Sequence, residues 1–89
     1  MAAKDVSPPA VERVVRVIPK GPGARDEVRV SMLRLSGRRF CDVRLFSRGR
    51  YTGGDPVPTP KGITFAPELL PELRQGLLDL ERALNELAP

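Results

Sequence analysis

The chain has 89 residues, a formal net charge of +4, one cysteine (Cys41) and no histidine. A lone cysteine excludes an intrachain disulfide and a multi-cysteine metal centre, and the lack of histidine excludes zinc fingers, Ser-His-Asp triads and Cys-His pairs. No metal or cofactor is expected. The length fits one small domain, near the size at which a single core is marginal and shared burial in an oligomer relieves the shortfall.

The charge is unevenly placed. Residues 1–66 hold 13 Lys and Arg against 6 Asp and Glu, whereas residues 67–89 hold Arg74 and Arg82 against Glu68, Glu72, Asp79, Glu81 and Glu86. A basic body with an acidic end fits polyanion binding by the body and a separate task for the end. A solvated basic surface on an ordinary domain is the plainer alternative. The N-terminus lacks the apolar run of a secretory signal, and no stretch approaches the roughly 20 apolar residues of a membrane span. A cytoplasmic protein without a membrane partner is therefore expected, nucleoid-associated in a prokaryote and nuclear in a eukaryote.

Residues 1–10, MAAKDVSPPA, are small, polar and proline-bearing, and read as a disordered arm ahead of a domain at 11–88. Val11 to Ile18 reads as a first strand with imperfect alternation: Val15 and Val17 share one face, Arg16 and Ile18 the other. Pro19-Lys20-Gly21-Pro22-Gly23 is expected to stop it. From Glu27, the residues Val28, Val30 and Met32 alternate with Arg29 and Ser31 in period two, and then the phase slips to Leu33 and Leu35. A β-bulge near Met32-Leu33 returns those leucines to the core side; a strand buried on both faces within an oligomer accounts for them equally.

Ser36-Gly37 reads as a tight turn, with glycine supplying a positive φ. The third strand, Arg39 to Phe46, puts Cys41, Val43 and Leu45 on a core face and Phe40, Asp42, Arg44 and Phe46 on the other. On that second face a guanidinium lies between two aromatic rings, a surface on which bases stack. Cys41 reads as a small buried hydrophobe rather than a reactive thiol. Ser47 to Pro60 reads as a long loop whose Gly53-Gly54 lacks the Lys-Ser/Thr of a phosphate loop. Lys61 to Phe65 is a short fourth strand with Ile63 and Phe65 on one face.

The remainder is helix. Leu70, Leu73, Leu77, Leu80, Leu84 and Leu87 recur at spacings of 3, 4, 3, 4 and 3, and Leu69 and Leu78 widen the stripe into a heptad-like seam. Pro67 suits a first helical turn, Ala66 is a poor cap, and Pro71 removes another donor, so the regular helix starts at one of the two prolines. The stripe packs either on its own sheet or on a second copy, and it exceeds what one small sheet needs. The expected fold is α+β: a four-stranded antiparallel twisted sheet followed by one long C-terminal helix, dimerising through Leu70, Leu73, Leu77, Leu80, Leu84 and Leu87.

The run Leu35-Ser36-Gly37-Arg38-Arg39-Phe40-Cys41-Asp42-Val43-Arg44-Leu45-Phe46, a glycine-rich loop, Lys61-Gly62-Ile63-Thr64, a Pro-Glu helix start and a leucine-rich helix follow one another in this order. Together they resemble the C-terminal domain of the transcriptional positive cofactor four family, over roughly Glu27 to Leu87. The resemblance implies a homodimer that pairs its closing helices and binds single-stranded DNA, or melted duplex, along basic sheet ridges. At matching positions Arg38 is the basic residue after the turn glycine, Arg44 the arginine of Asp-apolar-Arg, and Lys61 the lysine before Gly-Ile. The chain departs from the family where it places stacking aromatics. Leu35 precedes the turn and Ser47 ends the third strand, so either Phe46, Phe40 or Tyr51 takes over the stacking or binding relies more on charge and is weaker.

The expectation is a dimeric, largely sequence-independent single-stranded DNA-binding protein, acting as a transcriptional coactivator or regulator or in DNA maintenance. Its ligand is single-stranded DNA, RNA or melted duplex, and the transcription machinery is a further candidate partner. Candidate nucleic-acid contacts are Arg29, Arg34, Arg38, Arg39, Phe40, Arg44, Phe46, Arg48, Arg50 and Lys61. The competing reading is a protein-interaction module that docks a transcription component, with an incidental basic face. An enzyme is not expected: Asp42 beside Arg44 is the nearest thing to a catalytic pair, and it lies among basic residues where it orients an arginine.

Overall fold

The structure, a computed structural model, describes residues 10–21, 23, 25–49 and 54–87. Strands β1 (Ala10–Lys20), β2 (Asp26–Leu35), β3 (Arg38–Ser47) and β4 (Val57–Phe65) form one antiparallel sheet in the order β1-β2-β3-β4. A 3-10 turn (Pro67–Leu69) then leads into helix α1 (Leu70–Leu87). This is the α+β architecture expected from the sequence. The arm expected at residues 1–10 lies, apart from Ala10, outside the described residues.

The β2–β3 hairpin is the regular part of the sheet. Its register runs unbroken from Asp26 opposite Ser47 to Leu35 opposite Arg38. Both turn residues have positive φ, 53° at Ser36 and 76° at Gly37, the pairing whose twist matches that of the flanking strands. Glycine takes this conformation freely, and Ser36 takes it at a cost.

The bulge expected near Met32-Leu33 is absent, because β2 stays in register with β3 throughout. Leu33 instead lies opposite Phe40, on the same face as Ser31 and Asp42, and is 7% exposed. The phase slip therefore marks a strand that is apolar on both sides. The bulges occur in β1, where register shifts between Val11 and Arg13 and between Val14 and Arg16 make Glu12 and Val15 the extra residues. They bring Val11, Val14 and Val17 opposite Leu33, Ser31 and Arg29, which explains why β1 shows no clean period of two.

Since paired residues point to the same side, the sheet has two distinct faces. A polar face carries Arg29, Ser31, Asp42, Arg44 and Thr64, with Leu33, Phe40 and Phe46 among them. An apolar face carries Val28, Val30, Met32, Cys41, Val43, Leu45, Ile63 and Phe65. Ile63 and Phe65 thus share a face as expected. Cys41, Val43 and Leu45 are half-buried rather than enclosed.

Two strands outrun their expected limits through proline. Pro19 and Lys20 remain in β1, opposite Glu27 and Asp26. β4 begins at Val57 and includes Pro58 and Pro60, where a loop was expected. Both are edge strands, and an edge tolerates proline because the missing N–H can fall on the side without a partner.

The helix starts between the two candidate prolines. Ala66 is extended and offers no side-chain cap, and the Leu69 N–H donates to its carbonyl at 3.0 Å. Pro71 sits in the first turn of α1, where a missing N–H is harmless. The 18 residues of α1 span about 27 Å. The helix does not fold back on the sheet: beyond its own 3-10 turn it makes at most marginal contact, and every residue except Leu73 is exposed. Among the described residues, the buried hydrophobic side chains are Leu33 and Phe65.

Gly62 marks where β4 lies closest to β3. It stands opposite Arg44, and a Cβ there meets the Val43 carbonyl oxygen at 2.5 Å and the Arg44 Cα at 2.7 Å. Gly62→Ala must push β4 away, and we expect it to lower unfolding free energy by roughly 1–3 kcal/mol. Urea titration checks this, and an unchanged midpoint contradicts the close approach.

Candidate nucleic-acid interface

Strand pairing lays out the polar face. Arg29 of β2 stands directly opposite Arg44 of β3, a like-charge pair that destabilises a sheet unless neutralised. Each arginine is neutralised by the acid two residues before it, on the same face of its own strand. Glu27 accepts from Arg29 Nε at 2.6 Å, and Asp42 accepts from Arg44 Nε at 3.2 Å and Nη2 at 3.0 Å.

Arg44 is held further. Asp42, 5% exposed, also accepts the Thr64 hydroxyl at 2.6 Å. Arg44 Nη2 donates to Thr64 Oγ1 at 3.2 Å, and Nη1 donates to the Thr59 carbonyl at 2.9 Å. With its two bonds to Asp42, four hydrogen bonds occupy a guanidinium that has five N–H groups. The side chain reaches β4 where Gly62 presents no side chain of its own. The Thr59 hydroxyl donates to the Leu45 carbonyl at 2.8 Å and accepts from the Lys61 N–H at 3.2 Å. These bonds hold β4 through its register shift between Arg44 and Phe46.

Both aromatic rings on this face carry a guanidinium. Arg29 lies over Phe46 at 4.2 Å from the ring centroid, and Arg38 over Phe40 at 5.6 Å. Such cation–π pairs orient the arginine, and a guanidinium plane is itself a surface on which a base stacks. Ser47 and Leu35, where the resemblance leads one to expect aromatics, do other work. Ser47 Oγ donates to Asp26 Oδ1 at 2.7 Å, and Leu35 is half-buried. Arg50 and Tyr51 lie outside the described residues.

The structure thus gathers Arg29, Arg38, Phe40, Arg44 and Phe46 on one face. Arg34 and Arg39 are paired with each other in register on the opposite side. Both bind Glu12: Arg39 Nε and Nη2 donate to it at 2.8 and 3.1 Å, and Arg34 Nη2 at 3.2 Å. These hydrogen bonds hold the exposed Glu12 carboxyl at a pKa of about 2 and push the Arg39 pKa above its usual value. Lys61 and Lys20 flank a shallow hollow of about 330 Å³ over Val28, Val43 and Leu45 on the apolar face. Arg48 is exposed just beyond β3. Of the candidate contacts among the described residues, Arg38, Arg48 and Lys61 have no carboxylate partner.

Glu12, Thr59 and Thr64 belong to these networks although the sequence does not single them out. Their arginine partners lie 15 to 27 residues away, and no local spacing announces them.

Removing Arg44 leaves the Asp42 carboxylate buried and without its charge partner. Arg44→Ala is expected to cost about 3 kcal/mol, read by urea unfolding. The double variant Asp42→Ala/Arg44→Ala should regain at least about 1 kcal/mol of that loss. Equal stability of the single and double variants contradicts the coupling.

Two solved structures are similar to this chain, both of a PC4 homolog from Burkholderia pseudomallei. The tetragonal crystal form is 39% identical with a TM-score of 0.69, and the match covers 78% of this chain and 96% of that one. The orthorhombic form is 37% identical with a TM-score of 0.71, covering 91% of this chain and 97% of that one. No family model matches the chain, and no curated protein does.

Proposed function

The chain belongs to the family of PC4 (positive cofactor four) homologues, and from that premise we propose that it is a homodimeric, largely sequence-independent single-stranded DNA-binding protein serving transcription or DNA maintenance. The observation that carries the reading is the polar face of the hairpin, on which Arg29 and Arg38 lie over Phe46 and Phe40. A single strand presents what such a face takes: phosphates for the guanidiniums and unpaired bases for the planar surfaces. Each stacked base contributes about 1–3 kcal/mol without regard to its identity, whereas a duplex hides its bases.

The arginines divide the work. Arg44 has one N–H left over and serves chiefly by holding β3 and β4 in shape around Asp42. Arg38, beside the turn and free of a carboxylate among the described residues, is the better phosphate ligand. Arg48 is equally free. Lys61 stands on β4 at the rim of the apolar-face hollow and meets a strand that passes the sheet edge.

The dimer follows from what the chain leaves bare. Leu77, Leu80 and Leu84 are 58%, 55% and 60% exposed, and Ile63 on the apolar sheet face is 50% exposed. Burying one leucine fully contributes about 1.5–3 kcal/mol, so a seam of six repeated in two chains is ample for association. A second copy fits in charge as well. The helix carries Glu72, Asp79, Glu81 and Glu86, and the apolar sheet face is edged by Arg13, Arg16 and Lys20.

Two measurements test these claims. Labelled single- and double-stranded oligonucleotides titrated over a range of salt should show preference for the single strand. For about four neutralised phosphates, log K should fall with log salt at a slope of about −3, and Arg38→Ala should flatten it by about 0.7. Absence of single-strand binding at low salt sinks the reading. Light scattering should give twice the chain mass for the wild type and the single-chain mass for Leu80→Glu, with a melting temperature that depends on concentration in the wild type. A Leu80→Glu dimer of undiminished mass rules out the helix seam.

A further inference from the structure

The cluster at the turn end of the apolar face is not used by the reading above. Glu12 is the extra residue of the first β1 bulge, placed between Val11 opposite Leu33 and Arg13 opposite Met32. Bulges re-aim side chains, and this one sends a carboxylate across β2 to Arg39 on β3. Arg39 grips it along its Nε/Nη2 edge, one bond to each carboxylate oxygen at 2.8 and 3.1 Å, while Arg34 adds a third bond at 3.2 Å. Arg34 Nη1 also approaches the Gly37 carbonyl at 3.4 Å.

That fork is the geometry with which arginine receives a phosphate as readily as a carboxylate. Two positive charges face one negative charge, so the site keeps an unbalanced charge even when Glu12 fills it. It is also open to water, with the side chains of Arg34, Arg39 and Glu12 exposed to 46%, 54% and 30%, and exposed ion pairs are weakly held. Because Glu12 stays ionised far below neutral pH, mild acid does not release the arginines; a competing anion does.

We propose that Arg34 and Arg39 form a phosphodiester subsite, which the Glu12 carboxylate occupies in the free protein and a nucleic-acid strand takes over on binding. The subsite rests on the single-strand-binding reading and extends it. Arg38 on the polar face and Arg39 on the apolar face are consecutive residues beside the Ser36–Gly37 turn. A strand that leaves Arg38 reaches the subsite by passing round the end of the hairpin. Glu12 tempers this interaction and makes it selective for an anion able to displace it.

Glu12→Gln tests the proposal, since glutamine keeps the shape and removes the competing charge. Affinity for a short oligothymidylate at low salt should rise roughly three- to tenfold, and the salt slope should steepen by about 0.7 for each further phosphate neutralised. Adding Arg34→Ala and Arg39→Ala to Glu12→Gln should abolish that rise. Glu68→Gln changes net charge equally in the 3-10 turn before α1 and should leave affinity unchanged; an equal rise there overturns the subsite. If Glu12→Gln lowers only the melting temperature and leaves affinity and slope as in the wild type, Glu12 is a structural clasp and the subsite is wrong. A wild-type chain that binds no oligonucleotide overturns the function reading, and the subsite with it.

Discussion

The ion pair between Asp42 and Arg44 is the interaction on which the rest of the sheet depends. It sits in the middle of β3, and its hydrogen bonds to Thr59 and Thr64 add side-chain ties to the backbone ladder that joins β4 to the hairpin. A buried ion pair stabilises a structure only when its remaining donors and acceptors are satisfied. Here that condition is met: among the described residues no buried side-chain nitrogen or oxygen lacks a partner. With no helix laid over the sheet, the apolar anchor of β4 is Phe65 at its end, and the polar network adds to it along the strand. Gly62 is part of the same device, because a side chain there pushes apart the two strands that the network joins.

Four of the arginines on β2 and β3 already have carboxylate partners. Glu27 pairs with Arg29, Asp42 with Arg44, and Glu12 is shared by Arg34 and Arg39, so a count of basic residues overstates what is free to meet a polyanion. Of the candidate contacts, the cations that remain, Arg38, Arg48 and Lys61, lie beside the hairpin turn, just past β3 and on the edge strand β4.

The two exposed apolar surfaces, the leucine seam of α1 and the sheet face of Val28, Val30, Val43, Leu45 and Ile63, pose the opposite problem. A chain of this length buries too little by itself, and each surface offers what the other lacks in the proposed dimer. The edges are guarded against less specific association. β1 carries two bulges, Pro19 and Lys20, and β4 carries Pro58, Pro60 and Lys61; bulges, prolines and lysines all discourage strand addition at an open edge.

By itself, the sequence determined the elements and their order. Period-two alternation located β2 and β3, Ser36-Gly37 located their turn, and the 3-4 leucine spacing located α1, because each signal is carried by residues a few positions apart. It also determined the membership of the two faces of β3, since alternation in that strand is unbroken. Proline misled at both edges, where a breaker in isolation became a tolerated strand residue for want of a second neighbour. Only the tertiary structure decided where the bulges fall, that Leu33 turns to the polar face, and which arginines are paired. Those outcomes depend on residues brought together from 15 or more positions apart, and on how β1 and β4 register against a hairpin whose own pattern cannot reveal its neighbours.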